Sequence, residues 1–328
     1  MSKRKQFLWA MLGSMMLAGL TACSGDDDQT DVPDDGVRVR RITITETDNA
    51  AARTAVVGHA SERASDENAA TLGGVAHYVT RASLNEDNGL TASWTADDGL
   101  TYCNLSRTNA INYDIYTGPL TATSTAATSQ FTGDVTCNGG DYLAVVYPAT
   151  TFTTNESYTI SLTGQDGTLE TLATTYHYVF GKATVTSVTD QTANATMGKM
   201  KSLLTVCKFS FIDRTSSSAI PIKTLAISYG GTGSDAGTYP QTATVAIGAS
   251  KAQADVHATG VTGSSPLLLE EVGEATAVYV ALLPTAAPRT FNFTVTDGSG
   301  NTYTGTAKAT LTEGEYIEAT GLKLTKQP

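Results

Sequence analysis

Threonine sets the strongest constraint on the fold of this chain, because it makes up 55 of the 328 residues. A β-branched side chain is stiff about its first torsion, which disfavours helices and suits the pleated surface of a sheet. After Leu20 no long stretch has the 3.6-residue apolar period of a helix. Strand-like runs separated by Gly, Asn and Asp recur at the intervals of antiparallel sandwiches. We therefore predict an all-β fold.

Charge and composition exclude several classes of function. The chain has 21 Lys and Arg against 32 Asp and Glu, so it lacks the clustered cations that bind nucleic acid. Hydrophobic residues make up 41% of the sequence, too many for wholesale disorder. Four histidines are scattered singly, and no HExxH, GxSxG or CxxC motif is present. We expect no enzyme activity, no metal site and no cofactor.

The N-terminus has the pattern of an exported lipoprotein. A cationic segment at 3–5 precedes an apolar run at 7–20, which is too short to span a bilayer of about 30 Å. The following Leu20-Thr21-Ala22-Cys23 resembles a bacterial lipobox, in which the cysteine is acylated and becomes the new N-terminus. We predict a signal peptide over 1–22 and acylation of Cys23.

An acidic tether, 23–36, follows the predicted lipid site. Such a run directly after an acylated cysteine resembles the surface-export signal of lipoproteins in some Gram-negative anaerobes. Two or three acyl chains anchor a protein stably, where one chain is marginal. We expect the protein at the outer membrane and the cell surface, with the membrane as a partner through Cys23.

Three cysteines remain, which allows at most one intramolecular pair. Export permits a disulfide, and Cys103 with Cys137 is the only pair that we place in one predicted domain. Cys207 lies in an apolar run and is expected to be reduced and buried.

The strand-like runs form two series that predict two β-sandwich domains. The first series begins with Val37–Thr45 and the second begins near Lys201, with a polar stretch at 191–198 between them. We predict an N-terminal domain over 37–195 and a C-terminal domain over 196–328.

Four further segments follow one another in a characteristic order. They are Trp94-Thr95-Ala96-Asp97-Asp98, a strand pair over 131–148 ending in Tyr147-Pro148, an apolar strand at 200–209, and a pair at 280–284 and 311–316. With the lipobox, this order resembles the fimbrillin-like pilins, the subunits of type V pili of Gram-negative anaerobes. Asp97 stands where the family more usually has Gly. The resemblance spans about 37–324 and implies two transthyretin-like sandwiches with a role in adhesion and biofilm formation.

The resemblance also implies assembly by donor-strand exchange. In this family an Arg-specific protease cuts after the first strand of the precursor, and the strand of another pilin subunit replaces it. The removable strand here would be 37–45, with the cut between Arg53 and Thr54. Arg81 and Ala82 form the second candidate site. The implied partners are therefore other pilin subunits and the protease.

Two alternatives remain open from the sequence. The chain could be a surface lipoprotein that binds glycans for nutrient uptake, but Trp94 is its single tryptophan after the signal peptide. Within a pilus, an integral last strand at 316–324 would favour a tip or accessory subunit. A detachable one would permit a stalk subunit, and a retained lipid would indicate an anchor.

Overall fold

The computed structural model describes residues 37–47, 70–71, 75–76, 83–85, 91–109, 112–250, 255–258, 265–270 and 272–328. Strands are the main regular structure of these residues and the helical turns are short, which confirms the predicted all-β class. In the described ranges no helix is long and apolar enough to cross a membrane. The predicted signal peptide and the tether at 23–36 lie outside the described residues.

Thirteen of the described strands lie before residue 204. They are β1 (Arg38–Thr47), β2 (Ala70–Thr71), β3 (Val75–Ala76), β4 (Ser83–Asn85), β5 (Thr91–Ser93), β6 (Gly99–Thr108), β7 (Ile115–Ala122), β8 (Gln130–Cys137), β9 (Tyr142–Tyr147), β10 (Ser157–Ser161), β11 (Val179–Val188), β12 (Thr192–Gly198) and β13 (Lys201–Ser202). A short helical turn, α1 (Leu169–Thr171), continues into a π-helical turn at Leu172–Tyr176.

The remaining nine described strands lie after residue 204. They are β14 (Thr205–Asp213), β15 (Thr224–Tyr229), β16 (Thr242–Ala246), β17 (Asp255–Ala258), β18 (Leu267–Leu269), β19 (Val278–Leu282), β20 (Arg289–Thr296), β21 (Thr302–Ala309) and β22 (Glu315–Lys326).

The first sheet closes on itself. Its strand order is β12-β1-β8-β7-β6-β9-β11-β13, and β11 also pairs with β12, so a ring of seven strands is complete. Alternate side chains of each strand face the inside of this barrel, which is filled by one apolar cluster. The largest members of the cluster are Trp94, Phe131, Tyr102 and Tyr147.

The second sheet runs β18-β15-β20-β21-β22-β14-β19. Strands β14 and β20 are three positions apart, about 14 Å along a flat sheet at the usual strand spacing. Phe209 of β14 and Phe293 of β20 nevertheless have ring centroids only 5.1 Å apart. The sheet therefore folds over so that its apolar face encloses a second core.

The two parts of the fold share secondary structure. Strand β10 pairs with β16, and β17 completes a three-stranded sheet. The second core accordingly includes Val146 and Tyr158 from the first part of the chain beside residues such as Phe211. The boundary that we predicted near residue 195 falls within β12.

The pairing differs from a purely antiparallel arrangement at three places. Strand β1 runs parallel to β12, β14 runs parallel to β22, and β2 runs parallel to β21. Sequence patterns alone did not indicate β6 or β12. The β12 segment reads as polar, although it alternates exposed residues with buried Ala193, Ala195 and Met197.

Candidate functional site

The candidate site is the position of β1 in the barrel. Residues Arg41–Thr47 of β1 pair in parallel with Thr192–Gly198 of β12, and Arg38–Thr45 pair antiparallel with Gln130–Cys137 of β8. Both partners are distant from β1 in sequence. The first strand is thus an interior strand of the sheet, held along both edges, and its backbone is protected where Arg40 and Arg41 lie.

The middle of β1 fills the barrel with two isoleucines. Ile42 and Ile44 are fully buried. Ile42 lies opposite Gly133 on β8 and Ala193 on β12, and Ile44 lies opposite Ala195. On β8, Ile44 lies opposite Phe131, so it is the alanines of β12 that leave room for the branched side chains. A Cβ at Gly133 would come within 2.5 Å of the Pro119 carbonyl oxygen.

Arg40 lies at one end of the inward face of β1 and is only 6% exposed. Its Nε donates to the Thr189 carbonyl at 2.6 Å. Its Nη1 donates to the Cys137 carbonyl and, at 3.2 Å, to Oδ1 of Asn138. These acceptors belong to the end of β8 and to the turns that follow β8 and β11. Together with the Arg38 carbonyl of β1 itself, which accepts from Nη1 at 3.3 Å, they form the receptor for the guanidinium.

Glu46 lies at the other end of the same face and is also 6% exposed. The Nε1–H of Trp94 donates to its Oε2 at 3.3 Å, and the backbone N–H of Met200 donates to its Oε1 at 3.1 Å. Trp94 is fully buried and packs edge-to-face on Phe131 and Tyr147, with ring centroids 4.9 and 5.6 Å away. The tryptophan of the predicted family segment therefore supports β1 directly.

The next residues of the Trp94 segment form a tight turn. Asp97 has a positive φ of 73°, a conformation that glycine adopts most easily and aspartate tolerates. Oδ2 of Asp98 accepts from the Thr95 N–H at 2.7 Å. Within the described ranges no group of three or more His, Cys, Asp or Glu side chains could hold a metal ion.

The outward face of β1 carries ordinary surface ion pairs. Arg38 and Asp190 are 3.4 Å apart, as are Arg41 and Asp134, and all four side chains are more than half exposed. Such pairs contribute about 0–1 kcal/mol each. Arg40 and Arg41 are thus adjacent residues of one type in opposite environments.

The predicted modification and processing residues stay predictions. Cys23, Arg53, Thr54, Arg81 and Ala82 all lie outside the described residues.

The segment between the two candidate cut sites does reach the second sheet. Strand β2 pairs with Ala307–Lys308 of β21, and β3 pairs with Glu315–Tyr316 of β22. A cut after Arg53 leaves these pairings in the same chain, whereas a cut after Arg81 separates them from it.

The three described cysteines are free and buried. Cys103 belongs to the second core and Cys137 to the barrel interior, so the two thiols are on different faces of the first sheet. Burial raises the pKa of Cys103 to about 12 and that of Cys137 to about 11, and it also raises the pKa of Cys207. At neutral pH these thiols are therefore protonated, buried members of the two cores.

The last strand is integral to the second sheet. Val206–Asp213 of β14 pair in parallel with Tyr316–Leu324 of β22. Ile317 and Leu324 of β22 are almost fully buried in the second core. Detaching β22 would therefore disrupt that core.

Sequence reasoning missed the roles of Arg40 and Glu46. The available signal was parity: Arg40, Ile42, Ile44 and Glu46 alternate along one strand and must share a face. Charged residues in phase with buried isoleucines indicate either a strand end in water or a buried polar site. The positions of Thr189, Trp94 and the other groups that contact Arg40 and Glu46 show that both ends of this face are buried polar sites.

Comparison with known proteins gives structural similarities only. No protein-family model matches the chain, and no curated protein sequence matches it. A candidate cell adhesion protein of Bacteroides eggerthii is 12% identical, with 86% of this chain and 85% of that chain covered and a TM-score of 0.35. A single-substitution mutant of the shaft pilin SpaA of Lactobacillus rhamnosus is 9% identical, with 89% of this chain and 98% of that chain covered and a TM-score of 0.32.

A fimbrilin of Porphyromonas gingivalis is 11% identical, with 79% of this chain and 72% of that chain covered and a TM-score of 0.30. All three TM-scores are below 0.5, so these similarities carry no argument about this chain.

Proposed function

We propose that this protein is a structural subunit of a cell-surface fimbrium that assembles by exchange of its first strand. The observation that supports the proposal is the placement of β1, an N-terminal strand inserted between β8 and β12. Residues 48–90 form the covalent connection between β1 and the later strands of the barrel. One cut in that segment would leave β1 held by non-covalent contacts alone.

The space left by β1 would be a strong acceptor for another strand. Its loss exposes unpaired N–H and C=O groups along β8 and β12, beside the apolar volume of Ile42 and Ile44. Burying each isoleucine is worth about 1.5–3 kcal/mol. A strand of another subunit restores the backbone pairing and the apolar contacts together.

The pairings of β2 and β3 favour Arg53 over Arg81 as the processing site. A chain that begins at Thr54 keeps both short strands beside β21 and β22. A chain that begins at Ala82 loses them and exposes two further strand edges in the second sheet. We propose that the protease cuts after Arg53, that Cys23 anchors the precursor to the outer membrane, and that the assembled fibre serves adhesion and biofilm formation.

Burial of Trp94 disfavours glycan binding as the alternative function. Its indole ring is fully enclosed and packs on Phe131 and Tyr147, so no face of it can stack on a sugar.

Treatment of the purified precursor with an Arg-specific protease tests the proposal. We expect a chain that starts at Thr54 by N-terminal sequencing and a ladder of polymers on gels. Arg53→Ala should remain an uncut monomer, while Arg81→Ala, the matched control, should convert and polymerise. A start at Ala82, or no polymer after complete conversion of the wild type, would contradict the proposal.

A further inference from the structure

The inward face of β1 carries a charge pattern that strand exchange alone does not require. Arg40 and Glu46 are both about nine-tenths buried and stand at opposite ends of the face, with Ile42 and Ile44 between them. Six residues of extended strand separate the two charges by about 20 Å, so they do not pair with each other. Each charge therefore depends on its own receptor.

The two receptors have opposite hydrogen-bonding character. The described contacts of the Arg40 guanidinium are all acceptors: the carbonyls of Thr189 and Cys137 and the side-chain oxygen of Asn138. The described contacts of the Glu46 carboxylate are N–H donors, the indole of Trp94 and the backbone of Met200. Except for the Arg38 carbonyl, which also accepts from Arg40 at 3.3 Å, these partners lie outside β1.

The opposite character of the two receptors fixes the register and direction of the strand. Alternation of apolar side chains alone does not fix both. A slip of one residue turns the isoleucines outward and is already excluded. A slip of two residues keeps the alternation but moves each charge about 7 Å from its receptor. A strand that runs in the reverse direction with the same side chains places a carboxylate against carbonyl oxygens. The slip of two residues and the reversal would each leave buried polar groups without partners.

We propose that the β1 position, here called the β1 slot, selects its occupant by charge. The strand that replaces β1 runs parallel to β12 and presents a cationic donor at the position of Arg40 and a carboxylate six residues later. Apolar side chains occupy the two inward positions between them. This inference deepens the proposed function, on which it rests, by naming the chemistry of the donor segment from the other subunit.

The test uses the full chain with a site for a sequence-specific protease in place of residues 50–56, so that the cut does not depend on Arg53. After cutting, the fraction of the β1 fragment that stays bound is followed over time by size exclusion and mass spectrometry. Arg40→Met should release the fragment about 10- to 100-fold faster than wild type, because a charged hydrogen-bonding group is worth about 1.5–3 kcal/mol. Glu46→Gln should release it about tenfold faster.

Arg41→Met is the matched control, since it removes an arginine from the next position of the same strand. Its side chain is 62% exposed and faces Asp134, so its release rate should stay within about twofold of wild type. Equal acceleration by Arg40→Met and Arg41→Met would overturn the inference.

Synthetic peptides that cover residues 36–47 provide a second arm, which does not depend on the folding of the chain variants. Added in excess to the cut wild-type chain, the native peptide and its Arg41→Met form should enter the slot equally. The Arg40→Met peptide, and a peptide with Arg40 and Glu46 interchanged, should enter at least tenfold less. Equal entry of all four peptides would refute selection by charge while leaving strand exchange intact.

Failure of strand exchange has a different signature. If even the native peptide does not enter, the proposed function is contradicted, and the release rates of Arg40→Met and Arg41→Met still decide whether the slot recognises charge.

Discussion

The anchoring of β1 by its isoleucines can be measured directly with Ile44→Ala. The side chain is fully buried between β8 and β12. Truncating such an isoleucine costs about 2–5 kcal/mol, the sum of the lost transfer free energy and the cavity that remains. Val39→Ala is the matched control on the same strand, because Val39 is 65% exposed and its truncation should cost no more than about 0.5 kcal/mol.

The chain supplies its own probe for this measurement. Without residues 1–23 its single tryptophan is Trp94, which lies inside the barrel and donates to Glu46 of β1. Unfolding in urea should therefore shift its emission to the red as the indole meets water. With a slope of about 2 kcal/mol per molar urea, Ile44→Ala should lower the midpoint by about 1–2.5 M.

The comparison between the two variants shows whether the inward face of β1 stabilises the barrel. Equal midpoints for Ile44→Ala and Val39→Ala would show that the inward face of β1 does not hold the barrel together. A barrel that keeps the wild-type midpoint with Ile44→Ala would have the same meaning.

Three further predictions concern the whole chain. Cys23→Ala should abolish acyl labelling and membrane fractionation, and unchanged labelling would contradict the lipobox assignment. Far-UV circular dichroism of the chain without its signal peptide should show β structure, and a helical content of a third or more would be inconsistent with the fold. Cys103, Cys137 and Cys207 should resist alkylation at pH 8 until the protein unfolds. Because burial raises their pKa values in the folded state, their contribution to stability is complete below about pH 8.5 and falls as the pH rises through 9 to 12.

The sequence predicted local structure where side-chain alternation is strong. The first strand is predicted at Val37–Thr45 and found at Arg38–Thr47, because its β-branched, partly alternating residues favour a strand. Strand β12 was not predicted, because its inward residues are mostly small alanines among Thr and Asn. Small residues carry little hydrophobic signal, and here they are small because the isoleucines of β1 need the space.

The candidate site could be predicted only in part for a related reason. Its strand can be read from sequence, but its walls come from β8 and β12, which lie roughly 90 and 150 residues further along the chain. The parallel pairing with β12 and the partners of Arg40 and Glu46 are long-range contacts that no local pattern encodes. Tertiary placement, rather than propensity, turns an ordinary strand into a candidate for exchange.

The most direct test of the central proposal is peptide mass spectrometry of assembled fibres, combined with Trp94 emission from the same sample. If β1 is exchanged, the fibres lack peptides from residues 37–47, and Trp94 still emits as a buried indole because another strand covers it. Fibres that retain residues 37–47 in stoichiometric amount would contradict the account, as would fibres in which the loss of these residues leaves Trp94 exposed to water.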